Sequence, residues 1–406
     1  MGTVILGGGI IGTSIAFYLS QLVDDASSIH IVESSERLFS SASGYGAGFI
    51  AKDWFPRATT ELGGLSFDLH RQLAAEHGGD EKWGYTPSIA LSLAFSEDLS
   101  GGKGERGEDW LLCGTSRAAV SVGQSALMES NRPVWLTKQK GDDIDIISSE
   151  EGCAQVDPLR LCHFLMNECR AKGVVLHQPA MASSVEQVEN GTLRVQLVSS
   201  HSAVLDKIDC KHLVIATGAW TPAVFKDLFP SSTIDVPITS LAGYSLLLNS
   251  PRHNVEQEAQ YGTGHAIFAP PGSRYSWAPE IFSRQGGEIY IAGFNEANLP
   301  LPQEALGVTL EPESIAEVKR VAVEMMGLAG TAPDGRRIDD LEITREALCF
   351  RPVTAKGTPI VTKLHGSSLG NGFDLGEQGG VLIAAGHGPW YVALESHMEC
   401  FVNTFN

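Results

Sequence analysis

Three glycines near the N-terminus carry the plainest chemistry in this chain. Gly7, Gly9 and Gly12 follow a short β-branched run, Thr3-Val4-Ile5-Leu6, and precede a helical stretch that includes Ser14-Ile15-Ala16-Phe17. In that setting the first glycine permits a tight turn and the second lets backbone approach a pyrophosphate. The third lets the helix pack close to the strand, so that the pyrophosphate sits at the positive end of the helix. A second strand, Ile29–Val32, ends at Glu33, roughly 20 residues further on, where a carboxylate accepts hydrogen bonds from ribose hydroxyls and repels a 2′-phosphate. Strand, glycine turn, helix, strand and acid together predict dinucleotide binding.

Further segments have the small residues that close ligand approach needs. Ser41-Ala42-Ser43-Gly44-Tyr45-Gly46-Ala47-Gly48-Phe49 runs small for most of its length, so the chain can lie against a flat or charged group. The buried run Leu213-Val214-Ile215-Ala216 closes with Thr217-Gly218-Ala219-Trp220, and Gly386-His387-Gly388 precedes the last helical pattern. Other chemistries read poorly. There is no GxSxG elbow, no Walker A lysine and no HExxH pair. The seven cysteines form no CxxC and no zinc spacing, and the acidic pairs read as solvated turns, so no metal site is expected.

Positioning these residues requires a βαβ unit at the N-terminus and strands that return to it near 213–220 and 380–385. Helical spacing covers 61–77, 157–172 and 311–326, and a last helix is expected over Pro389–Val402. Strand patterns cover 84–95, 174–177, 183–188, 192–198, 204–210, 236–248, 265–268, 277–283 and 288–294, and Arg351-Pro352-Val353-Thr354 reads as preceding a strand. Ser96–Glu108, with its glycines and charges, reads as a solvated loop. The fold class is α/β: a Rossmann-like domain that binds a dinucleotide, NAD or FAD (1–55, 150–235 and 345–406), interleaved with an α+β substrate domain on an antiparallel sheet (56–149 and 236–344). The chain has 406 residues, 43% hydrophobic, with net charge −19. That charge argues against nucleic-acid binding, which needs clustered Lys and Arg. No apolar run approaches the ~18 residues of a membrane span. Scattered cysteines and the lack of a secretory leader predict a reducing, cytoplasmic setting.

From residue 3 to about 400 the chain resembles the FAD-dependent D-amino-acid-oxidase superfamily, which includes glycine and sarcosine oxidases. The resemblance rests on Gly152 with Val156-Asp157-Pro158 and Gly173-Val174, on Ala216-Thr217-Gly218-Ala219-Trp220-Thr221-Pro222, and on Phe350-Arg351-Pro352-Val353-Thr354. Pro279–Pro302 is similar to a largely fungal branch of that family. The resemblance implies that Gly7, Gly9, Ile10, Ile11 and Gly12 hold the FAD pyrophosphate and that Glu33, with Ser34 beside it, binds the adenosine ribose. Ser43, Gly44, Ala47, Gly48 and Phe49 would line the pyrophosphate, ribityl and ring region. Val185 would meet adenine through its backbone, Gly218 and Trp220 would close over the cofactor, and Gly386, His387 and Gly388 would lie beside the pyrimidine end.

On the substrate side the resemblance makes Arg351 a fork for a carboxylate, with Tyr244 a second pocket residue and Tyr261, Tyr275 and Trp277 further candidates. Cys349 stands where sarcosine-oxidase-like enzymes attach FAD covalently, although its neighbours follow the noncovalent pattern. Ala242 departs from the family by removing a familiar arginine. The implied reaction is oxidation of a C–N bond in an amino acid or related amine, N-methyl and secondary amines included. Hydride passes to flavin N5, an imine forms, and dioxygen is reduced to hydrogen peroxide. A dehydrogenase with another electron acceptor and a flavin-binding interaction protein without turnover are the alternatives.

Overall fold

The run Thr3–Leu6 is apolar but for its first residue and buried along its whole length, as a strand covered on both faces must be. It forms β1 (Thr3–Leu6), which pairs in parallel with β2 (Ile29–Val32) on one side and β11 (His212–Ile215) on the other. The parallel set continues through β7 (Val175–His177) beyond β2 and β20 (Gly380–Ala385) beyond β11, and β19 (Ile360–Leu364) closes that edge antiparallel. The computed structural model describes residues 2–55, 57–95, 132–137, 142–148, 151–188, 191–199, 203–254, 256, 263–271, 274–330, 337–370, 372–375, 379–390 and 398. The expected loop at 96–108, Tyr261 and almost all of the expected helix over Pro389–Val402 lie outside them.

Helix α1 (Ile10–Leu22) is buried from Ile10 through Ser20, wedged between the sheet and the helix over Pro158–Lys172. That second helix has full punctuation. Asp157 caps it by accepting from Leu159 N and Arg160 N, Pro158 opens it, and Gly173 ends it in a left-handed turn. It begins one residue after the start of the span that helical spacing predicts and ends with it.

A second, nine-stranded sheet contains β3 (Phe49–Ala51), β4 (Thr86–Ala94), β5 (Asp143–Ile146), β6 (Cys153–Gln155), β12 (Thr239–Asn249), β13 (Gly264–Phe268), β14 (Glu280–Ser283), β15 (Glu288–Glu296) and β18 (Glu342–Val353). Its order is β18-β12-β15-β14-β13-β4-β6-β3, with β5 beside β4. Three-stranded β8 (Met181–Gln187), β9 (Leu193–Val198) and β10 (Val204–Cys210) flank the parallel sheet, and β16 (Leu328–Ala329) pairs with β17 (Arg337–Ile338).

The faces of the large sheet divide by alternation. One face packs Tyr244, Leu246, Leu248, Ile291 and Leu348 against Val318, Val321 and Met325 of the helix Pro312–Met326. The other gathers Leu247, Phe268, Phe282, Tyr290 and Ala292 with Phe49 and Trp54. We call these the helix face and the aromatic face. Arg351 does not precede a strand; it lies inside β18, two residues from its end. Pro352 is tolerated there because β18 is the sheet edge, where one side of the strand needs no partner.

Candidate active site

β1, β2 and β11 end together, and the chain turns outward at each end. Gly7 N donates to Val32 O and Ala216 N donates to Leu6 O, both at 2.8 Å. Gly7 has φ +102, and a Cβ on it would stand 2.5 Å from Ala216 O. A Cβ on Gly12 would stand 2.0 Å from Gly7 O. Both positions exclude any larger residue, and the result is a bare helix N-terminus pressed against the strand ends at the point where the connections diverge. In open parallel sheets that crevice is where ligands bind.

Glu33 closes one side. Its Oε2 accepts from Gly8 N and its Oε1 from Ser35 N, each at 2.8 Å. Burial pushes the Glu33 carboxyl above the usual range, and these donors offset only part of that effect. Ser34 is exposed beside it. Ala180 N donates to Glu33 O, which leads the chain directly into β8, where Val185 is buried against Val4, Leu6 and Val32. On the other side Ser43 Oγ accepts from Ile10 N at 2.9 Å, so a residue 33 positions away caps α1. Ile10 and Ile11 themselves are buried in the core behind the turn.

Beyond Ser43, the short helix α2 (Ala42–Tyr45) and the residues to Gly48 are tied to the large sheet by two arginines. Arg284 Nη2 donates to Gly46 O and Ala47 O at 2.8 and 3.2 Å, and its guanidinium lies over the Tyr290 ring. Arg345 Nη1 donates to Gly44 O at 3.4 Å and lies over Tyr45. Burial lowers the pKa of Arg284, and Asp157 opposes that change. Phe49 turns its ring into the aromatic face, stacked on Phe282 at 5.6 Å.

β18 runs beside α2 and also beside the turns Gly218–Trp220 and Gly388–Trp390, so it borders the other cofactor segments expected from the sequence. Gly218, Gly386 and Gly388 all have positive φ, and His387 is buried between the latter two. Trp220 is drawn the other way: its Nε1 donates to Pro302 O at 2.7 Å and the ring packs on the helix-face core.

The register of β18 on β12 puts Arg351 opposite Leu241, Cys349 opposite Gly243, Ala347 opposite Ser245 and Arg345 opposite Leu247. These belong to the aromatic face. Arg351 Nη1 donates to Asn295 Oδ1 at 2.6 Å, reaching across β12 to do so. Gly243 makes the crossing feasible, because a Cβ there would stand 2.8 Å from Arg351 Nη2 and 2.9 Å from Asn295 Oδ1. A bulge opposite Gly243–Ser245 turns Asn295 onto the same face, and it is built at Gly293, where φ is +117. Neither Gly243 nor Asn295 stands out in the sequence. Only the strand register shows what Gly243 is for.

Tyr244, expected beside Arg351, is not brought to it. It pairs with Leu348 on the helix face, fully buried and 5.8 Å from the Phe294 ring. Tyr275 and Trp277 lie in the same core. Alternation is the reason: Gly243 and Tyr244 are consecutive, so they face opposite sides of the sheet. Ala242 is a small core residue on that face. Cys349 lies on the aromatic face and is buried, and burial raises its thiol pKa. Lys52, which follows the glycine segment, pairs with Asp68 at 2.9 Å on the surface.

The residues at the strand ends fit an extended dinucleotide. A glycine cradle that a Cβ would fill, a helix start without an acidic residue in its first turn, and an enclosed carboxylate at the ribose position are the parts such a ligand needs. Among the described residues no group of three or more His, Cys, Asp or Glu side chains could hold a metal, and no helix is long and apolar enough to cross a membrane.

Comparison with known proteins agrees with this geometry. A provisionally named oxidoreductase of Schizosaccharomyces pombe, C1F5.03c, is 24% identical over 96% of this chain and 90% of its own length. The crystal structure of glycine oxidase from Geobacillus kaustophilus superposes with a TM-score of 0.69 at 18% identity, covering 99% of this chain and 93% of that one. Iminodiacetate oxidase from Chelativorans sp. BNC1 superposes with a TM-score of 0.67 at 17% identity, covering 98% and 93%. Residues 3–394 match the family described as FAD dependent oxidoreductase, and the chain belongs to that family.

Proposed function

We propose that this enzyme oxidises a C–N bond in a small amino acid or related amine that carries a carboxylate. The observation that supports this most is Arg351. Its guanidinium lies against Gly243 on the aromatic face and donates to Asn295 Oδ1 at 2.6 Å, on a strand that borders three expected cofactor segments. A planar fork held in one orientation matches a carboxylate and fixes the adjacent Cα. The two structural relatives named above act on glycine and on iminodiacetate, both amino-carboxylates, which agrees with this reading.

In it, Gly7, Gly9 and Gly12 receive the FAD pyrophosphate, Glu33 the ribose, and the 43–49 and 386–388 segments the rest of the cofactor. When bound, FAD would supply the two-electron oxidation of the C–H bond beside nitrogen, with dioxygen as the acceptor that becomes hydrogen peroxide. Segments 1–55, 150–235 and 345–406 form the cofactor part and 56–149 and 236–344 the substrate part, in a cytoplasmic protein. The chain's own contribution is to hold the carboxylate at Arg351 and so aim the reacting carbon.

The test is anaerobic addition of a panel of amino acids and N-methyl amino acids to the holoenzyme. Bleaching of the flavin absorbance by at least one of them, and peroxide on readmission of air, is the expected result. A flavin that no carboxylate-bearing amine reduces contradicts the proposal. Acid precipitation of the same sample reads the linkage: colour left in the supernatant means that Cys349 is unbonded.

A further inference from the structure

Glu280 has no part in the arrangement so far, yet it shares the face of Arg351. In register across the sheet it pairs with Ala292 of β15, which pairs with Ser245 of β12, which pairs with Ala347 of β18. This row has an acid at one end and three small side chains after it, so the face is low there. Adjacent strands are ~4.8 Å apart, and the row runs alongside the Gly243–Asn295 crossing over which the Arg351 guanidinium lies. Arg351 is also the charged group that Glu280 senses. No hydrogen bond holds the Glu280 carboxylate among the described residues, and it is only partly exposed. An enclosed carboxylate without a hydrogen-bond donor is costly, and the charge of Arg351 offsets only part of the effect of burial.

We infer that Glu280 receives the substrate's ammonium group while Arg351 receives its carboxylate, so that the site selects zwitterionic α-amino acids. It discriminates against amine-free carboxylates and against amines with a second acidic substituent near nitrogen. This rests on the proposed amine oxidation and deepens it. The two charged groups share one face, and the small side chains of Ala292, Ser245 and Ala347 leave room beside them for a short skeleton. Glu280 is thus a specificity-determining residue, distinct from the fork.

The test uses the holoenzyme and its Glu280→Gln, Glu280→Asp and Arg351→Met variants. Acetate and propionate are titrated against the flavin difference spectrum, and glycine, sarcosine and both alanine enantiomers against anaerobic flavin reduction. The expected result is that Glu280→Gln weakens amino-acid half-saturation by about tenfold or more, while acetate binds as well as before or better. Glu280→Asp retains most of the preference. Arg351→Met weakens both ligand types. Equal losses for acetate and amino acids in Glu280→Gln, or no loss for either, overturn the assignment, as does a wild type that no amino acid in the set reduces. An unchanged Arg351→Met variant with a selective loss in Glu280→Gln refutes the carboxylate fork and leaves Glu280 standing. FAD content and melting temperature of each variant separate these outcomes from misfolding.

Discussion

The two halves of the site are built in opposite ways. The cofactor cradle is assembled from residues close in sequence: Gly7 and Gly12 meet across one turn, and Glu33 follows on the next strand. The substrate face is assembled across strands. Arg351, Gly243, Asn295 and Glu280 come from four different strands, and their meeting depends on register and on one bulge. A contiguous motif tolerates little change because each glycine is a steric limit. A face set by register offers many positions where one substitution redirects a side chain without unfolding the protein. The cradle is therefore the place to look for loss of cofactor, and the sheet face the place to look for altered substrate choice.

Substitutions can break this contrast at several levels. Gly12→Val has the largest effect, since a side chain at 2.0 Å from Gly7 O must displace helix or strand. The purified variant should carry little FAD and melt well below the wild type, and full flavin occupancy would refute the close-approach account. Arg351→Met should cost about 3 kcal/mol in kcat/KM for a carboxylate-bearing amine while FAD occupancy stays at the wild-type level. Gly243→Ala should give a smaller loss, about 1–2 kcal/mol, because the methyl group pushes Arg351 off Asn295. Asn295→Ala should match it, and the two together should fall short of additivity because they act on one guanidinium.

Removing the helix cap with Asp157→Ala should lower stability by about 1 kcal/mol in denaturant melts and leave substrate constants alone. Glu33 gives a pH dependence. Its carboxyl pKa is raised in the folded protein by burial, so the folded state holds the proton more tightly than the unfolded chain. Stability of the apoprotein then falls as pH rises from the ordinary carboxylate range through the folded pKa. Glu33→Gln should flatten that part of the melting-temperature profile, and a slope that survives the substitution would assign it to other groups.

Much of the fold was legible in the sequence for local reasons. Periodicity placed Thr60–His77, Pro158–Lys172 and Pro312–Met326 within a residue or two, because caps and apolar spacing are read along the chain. The short strands β3, β5 and β6 were not foreseen, since three or four residues hold no period to read. β18 was missed because its Pro352 argues against a strand interior, and edge position was not visible. For the cofactor, spacing points to the glycines and Glu33, and resemblance to the remaining residues. On the substrate face resemblance points to Arg351 and Tyr244, and the register of β12, a tertiary fact, turns Tyr244 to the other side of the sheet.

The central claim is that Arg351, spread over Gly243 and pinned by Asn295, reads a substrate carboxylate. It is tested most directly by comparing an amino acid that reduces the flavin with the corresponding amide, in wild type and in Arg351→Met, by anaerobic flavin reduction. The account predicts that wild type prefers the acid by about 100-fold, a coupling of about 3 kcal/mol, and that the variant treats acid and amide nearly alike. A preference that persists undiminished in Arg351→Met would contradict it.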